Sequence, residues 1–82
     1  MMSYGDKEWS EWVIDDQEEC NKHVRTAFEH GVNTLDTANM YSQGLSEVMT
    51  GKAIKAVGVP REEWVILTKV CTTPSDVARC AV

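Results

Sequence analysis

The chain is short of several things at once, and each shortage removes a class of function. No apolar run in its 82 residues reaches the length of about 20 that a membrane-spanning helix needs. The first residues lack a basic segment followed by an apolar core, so no secretory leader is expected, the chain reads as cytoplasmic, and no membrane partner is expected. Its eight lysines and arginines form no basic patch, which leaves a duplex-binding role without an electrostatic footprint and removes nucleic acid as an expected partner. Cys20, Cys71 and Cys80 are an odd number with no C-x-x-C pair. They indicate neither a metal site nor a disulfide framework, and reduced thiols are the default. Internal repeats and low-complexity segments are absent as well.

What is there is the balance of an ordinary globular protein, 43% hydrophobic and 26% charged. At this size a single domain buries only about 60 to 65% of its unfolded surface, so the core is marginal unless the chain is part of something larger. The net charge of −5 is uneven. Asp6, Glu8, Glu11, Asp15, Asp16, Glu18 and Glu19 face a single Lys7, and such a run reads as a solvated surface and helix start.

Hydrophobic spacing supplies the elements. Cys20, Val24, Ala27 and Phe28 fall at i, i+4, i+7 and i+8, one face of a helix over about 17 to 30. Asp15 or Asp16 can cap it, its first-turn acids suit the positive end of the helix dipole, and Gly31 is a ready residue for its exit. Val32 to Asp36 follows as a short strand candidate. Asn39 to Leu45 reads as a loop, with Ser46 as N-cap of a second helix over about 47 to 57 that turns Met49, Ala53, Ala56 and Val57 inward. After Pro60, Trp64 to Thr68 is a nearly continuous apolar run, the pattern of a strand buried on both faces. Met2 to Gly5 reads as the tail of another strand, and residues 6 to 16, with Trp9 and Trp12, as a loop. Helix and strand alternate with short connections, which argues for parallel βαβ units.

In such sheets functional groups gather at the carboxyl ends of the strands. Asp36 ends one strand, Tyr41 lies five positions later in the following loop, and Lys69 ends the next strand, so all three are expected on one face. A free tyrosine is a poor acid or base near neutrality. A neighbouring ammonium stabilises the phenolate, and an aspartate holds the ammonium in place and charged. That set suits protonation of a carbonyl oxygen as hydride arrives at carbon. On spacing alone, Asp36 as a helix cap, Tyr41 as packing and Lys69 as a solvated terminus remain open.

GVNTLDTANMYSQGLSE (31 to 47), GKAI (51 to 54) and PREEWVILTKV (60 to 70) resemble, in order, the signature, the helix continuation and the lysine-bearing segment of the aldo-keto reductase family. MSYGDKEW resembles the end of barrel strand 1 in the branch that holds fungal aryl-alcohol-dehydrogenase-like and potassium-channel-β-subunit-like members. The resemblance implies the N-terminal βαβαβ portion of an incomplete (β/α)8 TIM barrel, with residues 2 to 70 as a partial NADP-dependent oxidoreductase domain and 71 to 82 as a divergent tail. It implies NADPH as cofactor and a small aldehyde or ketone as substrate, reduced to an alcohol. Of the family's catalytic Asp, Tyr, Lys and His it implies Asp36, Tyr41 and Lys69. Tyr41 would donate the proton, Lys69 would favour its phenolate, and Asp36 would hold Lys69 and lie near the nicotinamide ribose.

Departures accompany the matches. The family's histidine should lie downstream of Lys69, and no histidine follows His30. A complete barrel takes about 250 residues. The chain is therefore expected to be inactive alone. The alternative is a non-catalytic barrel remnant that associates with a full-length relative through its exposed strand edge.

Overall fold

A computed structural model describes residues 1 to 70, so the expectations for Cys71, Cys80 and the 71 to 82 tail lie outside the described residues. Two helices lie against a two-stranded parallel sheet: α1 spans Gln17–Glu29, β1 Thr34–Asp36, α2 Leu45–Val57 and β2 Val65–Leu67. Thr34 pairs with Val65, Leu35 with Ile66 and Asp36 with Leu67. The ladder outlasts the regular strands, because Val65 N–H donates to Asn33 O at 2.9 Å and Thr37 N–H to Leu67 O at 2.7 Å.

Helix α1 begins as its sequence predicts. Asp16 caps it, its carboxylate accepting from Glu18 N–H at 2.9 Å, with Glu18 and Glu19 in the positive first turn. Gly31, at φ +90°, supplies the left-handed exit. For α2 the start differs. The N-cap is Gly44, and Ser46 lies inside the helix, where its hydroxyl donates to Met1 O at 2.6 Å instead of capping. Ser46 was a good cap candidate by type, but a tertiary acceptor 45 residues away claims its hydroxyl.

One face of the sheet carries the core. Cys20 and Val24 of α1, Met49 and Ala53 of α2, Leu35 of β1 and Trp64 form a buried cluster, with Phe28, Ile54, Val57 and Ile66 packed against it. Ala56 is exposed, on the outer side of α2. The expectation that β2 is buried on both faces is corrected. Val65 is 47% and Leu67 50% exposed, because both helices lie on the Leu35 and Ile66 side and nothing described covers the other. Period-two alternation makes this unavoidable in a single-layered sheet.

The N-terminal stretch forms no regular strand among the described residues. Tyr4 makes one parallel bridge to Ile14, and Val13 is completely buried, so residues 6 to 16 form an anchored loop. No helix of the described residues is long and apolar enough to cross a membrane.

Cys20 ties the core to pH. Burial pushes its thiol up from 9.0 to about 11, while the N-terminal ammonium pulls weakly the other way. The folded chain thus holds this proton more tightly than the unfolded chain. The resulting stability is complete below about pH 9 and is lost as pH rises toward 11, about 2 to 3 kcal/mol in all. Urea midpoints at pH 8 and 10.5 should show this loss in the parent and a flatter alkaline limb in Cys20→Ala. Equal slopes would remove the thiol as the cause.

Candidate active site

Parallel pairing in register brings the ends of β1 and β2 side by side, which places Asp36 next to the segment that carries Lys69. The Lys69 ammonium donates to Asp36 Oδ2 at 2.8 Å and to Thr37 O at 2.9 Å. It also lies 5.1 Å from the centre of the Tyr41 ring, within reach of a cation–π contact. Of the three residues expected on one face, Lys69 thus meets both of the others. Asp36 and Lys69 are 58% and 52% exposed at their side chains. They form an open pair whose geometry matters more than its contribution to stability.

The electrostatics follow from that geometry. The hydrogen bond from Lys69 holds the Asp36 carboxyl below the usual carboxylate range, with the Lys69 and N-terminal charges adding to the effect. Asp36 and then the Tyr41 side chain hold the Lys69 ammonium above its ordinary range. Around neutrality both partners of the pair are ionised. The N-terminal ammonium of Met1 also reaches this corner, donating to Asp36 O at 2.6 Å, and burial lowers its pKa.

Tyr41 is placed by an uncommon turn. It opens a 3-10 turn over Tyr41–Gly44 in which Ser42 and Gln43 take φ +49° and +55°, followed by Gly44 at +97°. Left-handed backbone at a residue other than glycine costs about 1 to 3 kcal/mol and persists only where surrounding contacts over-determine it. Here the side chain of Ser42 is buried, and its oxygen accepts from Asp6 N–H at 3.0 Å. Gly5 packs so closely that an added Cβ would collide with Ser42 Oγ and Cβ. The loop after Tyr4 thus locks the backbone next to Tyr41.

Sequence reading missed this lock, since its halves are 36 residues apart and no local pattern joins them. It also left Trp9 in an unassigned loop. The Trp9 ring lies 6.3 Å from that of Tyr41 and 5.9 Å from that of Trp12, centre to centre. A polar hollow of about 190 Å³, lined by Asp6, Glu8, Trp9, Ser42 and Gln43, opens beside the turn.

His23 lies on α1 and His30 caps its C-terminal end, the helix or helix-end positions expected for them. His23 Nδ1 shares a 2.9 Å hydrogen bond with the Tyr4 hydroxyl, and His30 Nδ1 donates to Thr26 O at 2.8 Å. Among the described residues no group of three His, Cys, Asp or Glu side chains could hold a metal ion.

Fold and site together define a partial α/β protein of the kind whose polar groups collect where parallel strands end. The particular family follows from comparison. The chain belongs to the aldo/keto reductase family, whose model matches residues 1–81. It is 45% identical over 92% of its length to an aldo-keto reductase of Alternaria alternata. It is 49% identical over 83% of its length to a Schizosaccharomyces pombe protein named as an aryl-alcohol dehydrogenase, and 47% identical over 83% to versiconal hemiacetal acetate reductase of Aspergillus parasiticus. It spans about 20% of the length of each of these relatives. No solved structure matches. The family is one of oxidoreductases, and the two parallel strands are consistent with a partial barrel.

Proposed function

We propose that the chain is the proton-donating corner of an NADPH-dependent carbonyl reductase, competent only when the rest of a barrel surrounds it. The observation that carries this reading is the Lys69 ammonium, held at 2.8 Å by Asp36 and lying 5.1 Å from the Tyr41 ring centre.

The residues present fit the cofactor at one point: the exposed Asp36 carboxylate is an acceptor suited to a ribose hydroxyl. NADPH, when bound, supplies hydride to the carbonyl carbon. Tyr41 gives its phenolic proton to the carbonyl oxygen, so that an aldehyde or ketone leaves as an alcohol. Lys69 stabilises the phenolate that remains, and Asp36 keeps Lys69 charged and aimed. Solvent returns the proton to Tyr41 across the exposed Asp36–Lys69 pair. The substrate is a small carbonyl compound, and the reaction takes place in the cytoplasm.

Exposed Val65 and Leu67 support dependence on further strands, since this face beside Asp36 is apolar and no described residue covers it. The test is aldehyde-dependent NADPH consumption by the chain alone and by the chain joined to the remaining sequence of a relative, with tryptophan fluorescence as the binding signal. Saturable quenching and turnover are expected in the joined protein, and no turnover in the chain alone. A folded joined protein that neither binds nor consumes NADPH would overturn the proposal and favour a non-catalytic remnant that associates through its uncovered edge.

A further inference from the structure

Lys69 lies two residues beyond the last residue of β2, where the regular ladder no longer holds the chain. Two backbone contacts secure this segment from the β1 side: Thr37 N–H donates to Leu67 O at 2.7 Å, and Asn39 N–H to Lys69 O at 3.1 Å. The helix side has its own tie. Thr68 Oγ1 donates to Glu47 Oε2 at 2.8 Å, joining residues 21 apart. Alternation along an extended chain sends neighbouring side chains to opposite faces. Thr68 turns toward α2, and Lys69 turns to Asp36 and Tyr41.

Glu47 stands in the first turn of α2, where a carboxylate is favoured by the helix dipole and is half-buried. That turn continues directly from the left-handed Ser42–Gln43–Gly44 backbone that begins at Tyr41. The Glu47–Thr68 hydrogen bond therefore connects the backbone that places the phenol to the backbone that places the ammonium. Asp36 holds the tip of Lys69 and Asn39 N–H holds its carbonyl, both from the β1 side, so the Glu47 bond adds the tie from the α2 side.

We infer that Glu47 is a positioning residue, which acts through the Thr68 hydroxyl to fix Lys69 against Tyr41. The inference rests on the proposed proton-transfer role of the Tyr41–Lys69 pair, yet its geometry can be tested without turnover. A carboxylate at this point does more than a neutral cap would, because its charge strengthens the hydrogen bond from Thr68.

The experiment is NMR on the 82-residue chain, reading nuclear Overhauser contacts between the Lys69 side chain and the Tyr41 ring together with the titration of the Lys69 ammonium. Glu47→Ala and Thr68→Val are expected to lose the contacts and to move the titration down toward that of an ordinary lysine. Thr68→Ser, which keeps the hydroxyl, is expected to retain both, and Glu47→Gln, which keeps an acceptor but loses the charge, is expected to fall between the parent and Glu47→Ala. Thr68 is exposed, so its variants should keep the amide dispersion of the parent and separate loss of positioning from loss of fold. Unchanged contacts and titration in folded Thr68→Val would overturn the inference, as would equal losses in Thr68→Ser. Carbonyl reduction that survives Tyr41→Phe in the joined protein would sink the catalytic reading while leaving the clamp intact, so the two failures are distinguishable.

Discussion

Tyr41→Phe is expected to lower carbonyl reduction by about 10²- to 10⁴-fold in the chain joined to the remaining sequence of a relative, the range that a positioned general acid contributes. The substitution is nearly isosteric. It keeps the ring that contacts Trp9 and lies 5.1 Å from the Lys69 ammonium, and it removes the hydroxyl, which is the proposed proton source and also helps hold the ammonium. NADPH affinity should stay within about twofold of the parent, because an interaction made only as charge develops on the carbonyl oxygen affects turnover and not ground-state binding. Loss of NADPH absorbance with an aromatic aldehyde reports the rate, and tryptophan quenching reports binding. If Tyr41→Phe turned over within threefold of the parent, another group would have to supply the proton. If affinity and rate fell together, the tyrosine would be shaping the site and not donating.

Trp64→Ala is expected to cost about 3 to 5 kcal/mol, the usual range for an aromatic deleted from a packed core. Domains carry only about 0.05 to 0.15 kcal/mol of stability per residue, so a chain of this size has little to spare. Trp64 is 3% exposed and its ring centre lies 4.9 Å from that of Phe28, which makes it the largest side chain joining α1 to the sheet. Trp64→Phe discriminates between causes. The indole N–H is buried with no hydrogen-bond partner among the described residues, a penalty of about 1 to 3 kcal/mol that phenylalanine removes. The Phe variant should therefore lose much less than the Ala variant in urea melts followed by circular dichroism. An Ala variant that melts within 1 kcal/mol of the parent would mean that the core is held elsewhere.

Much of the fold is legible in the sequence because it depends on local chemistry. The 3.6-residue spacing of Cys20, Val24 and Phe28, the cap at Asp16 and the exit at Gly31 each act within a few residues. The order of strand, helix and strand then puts the ends of β1 and β2 together, since parallel strands joined by a helix present the same ends on the same side. What escaped the sequence is long-range. Ser46 left its cap for Met1 O, Val13 became fully buried within a polar stretch, and the left-handed turn after Tyr41 depends on the absence of a side chain at Gly5.

Residue identity and order by themselves determined which groups can do chemistry here, an aspartate and a lysine at strand ends and a tyrosine in the loop between them, because alternation and periodicity are properties of the backbone. Tertiary structure alone decided whether those groups meet. The 2.8 Å bond from Lys69 to Asp36, the lock of Ser42 on Asp6 and the tie from Thr68 to Glu47 each join residues more than 20 positions apart. The formation of such contacts depends on whether packing elsewhere offsets the chain entropy of bringing them together.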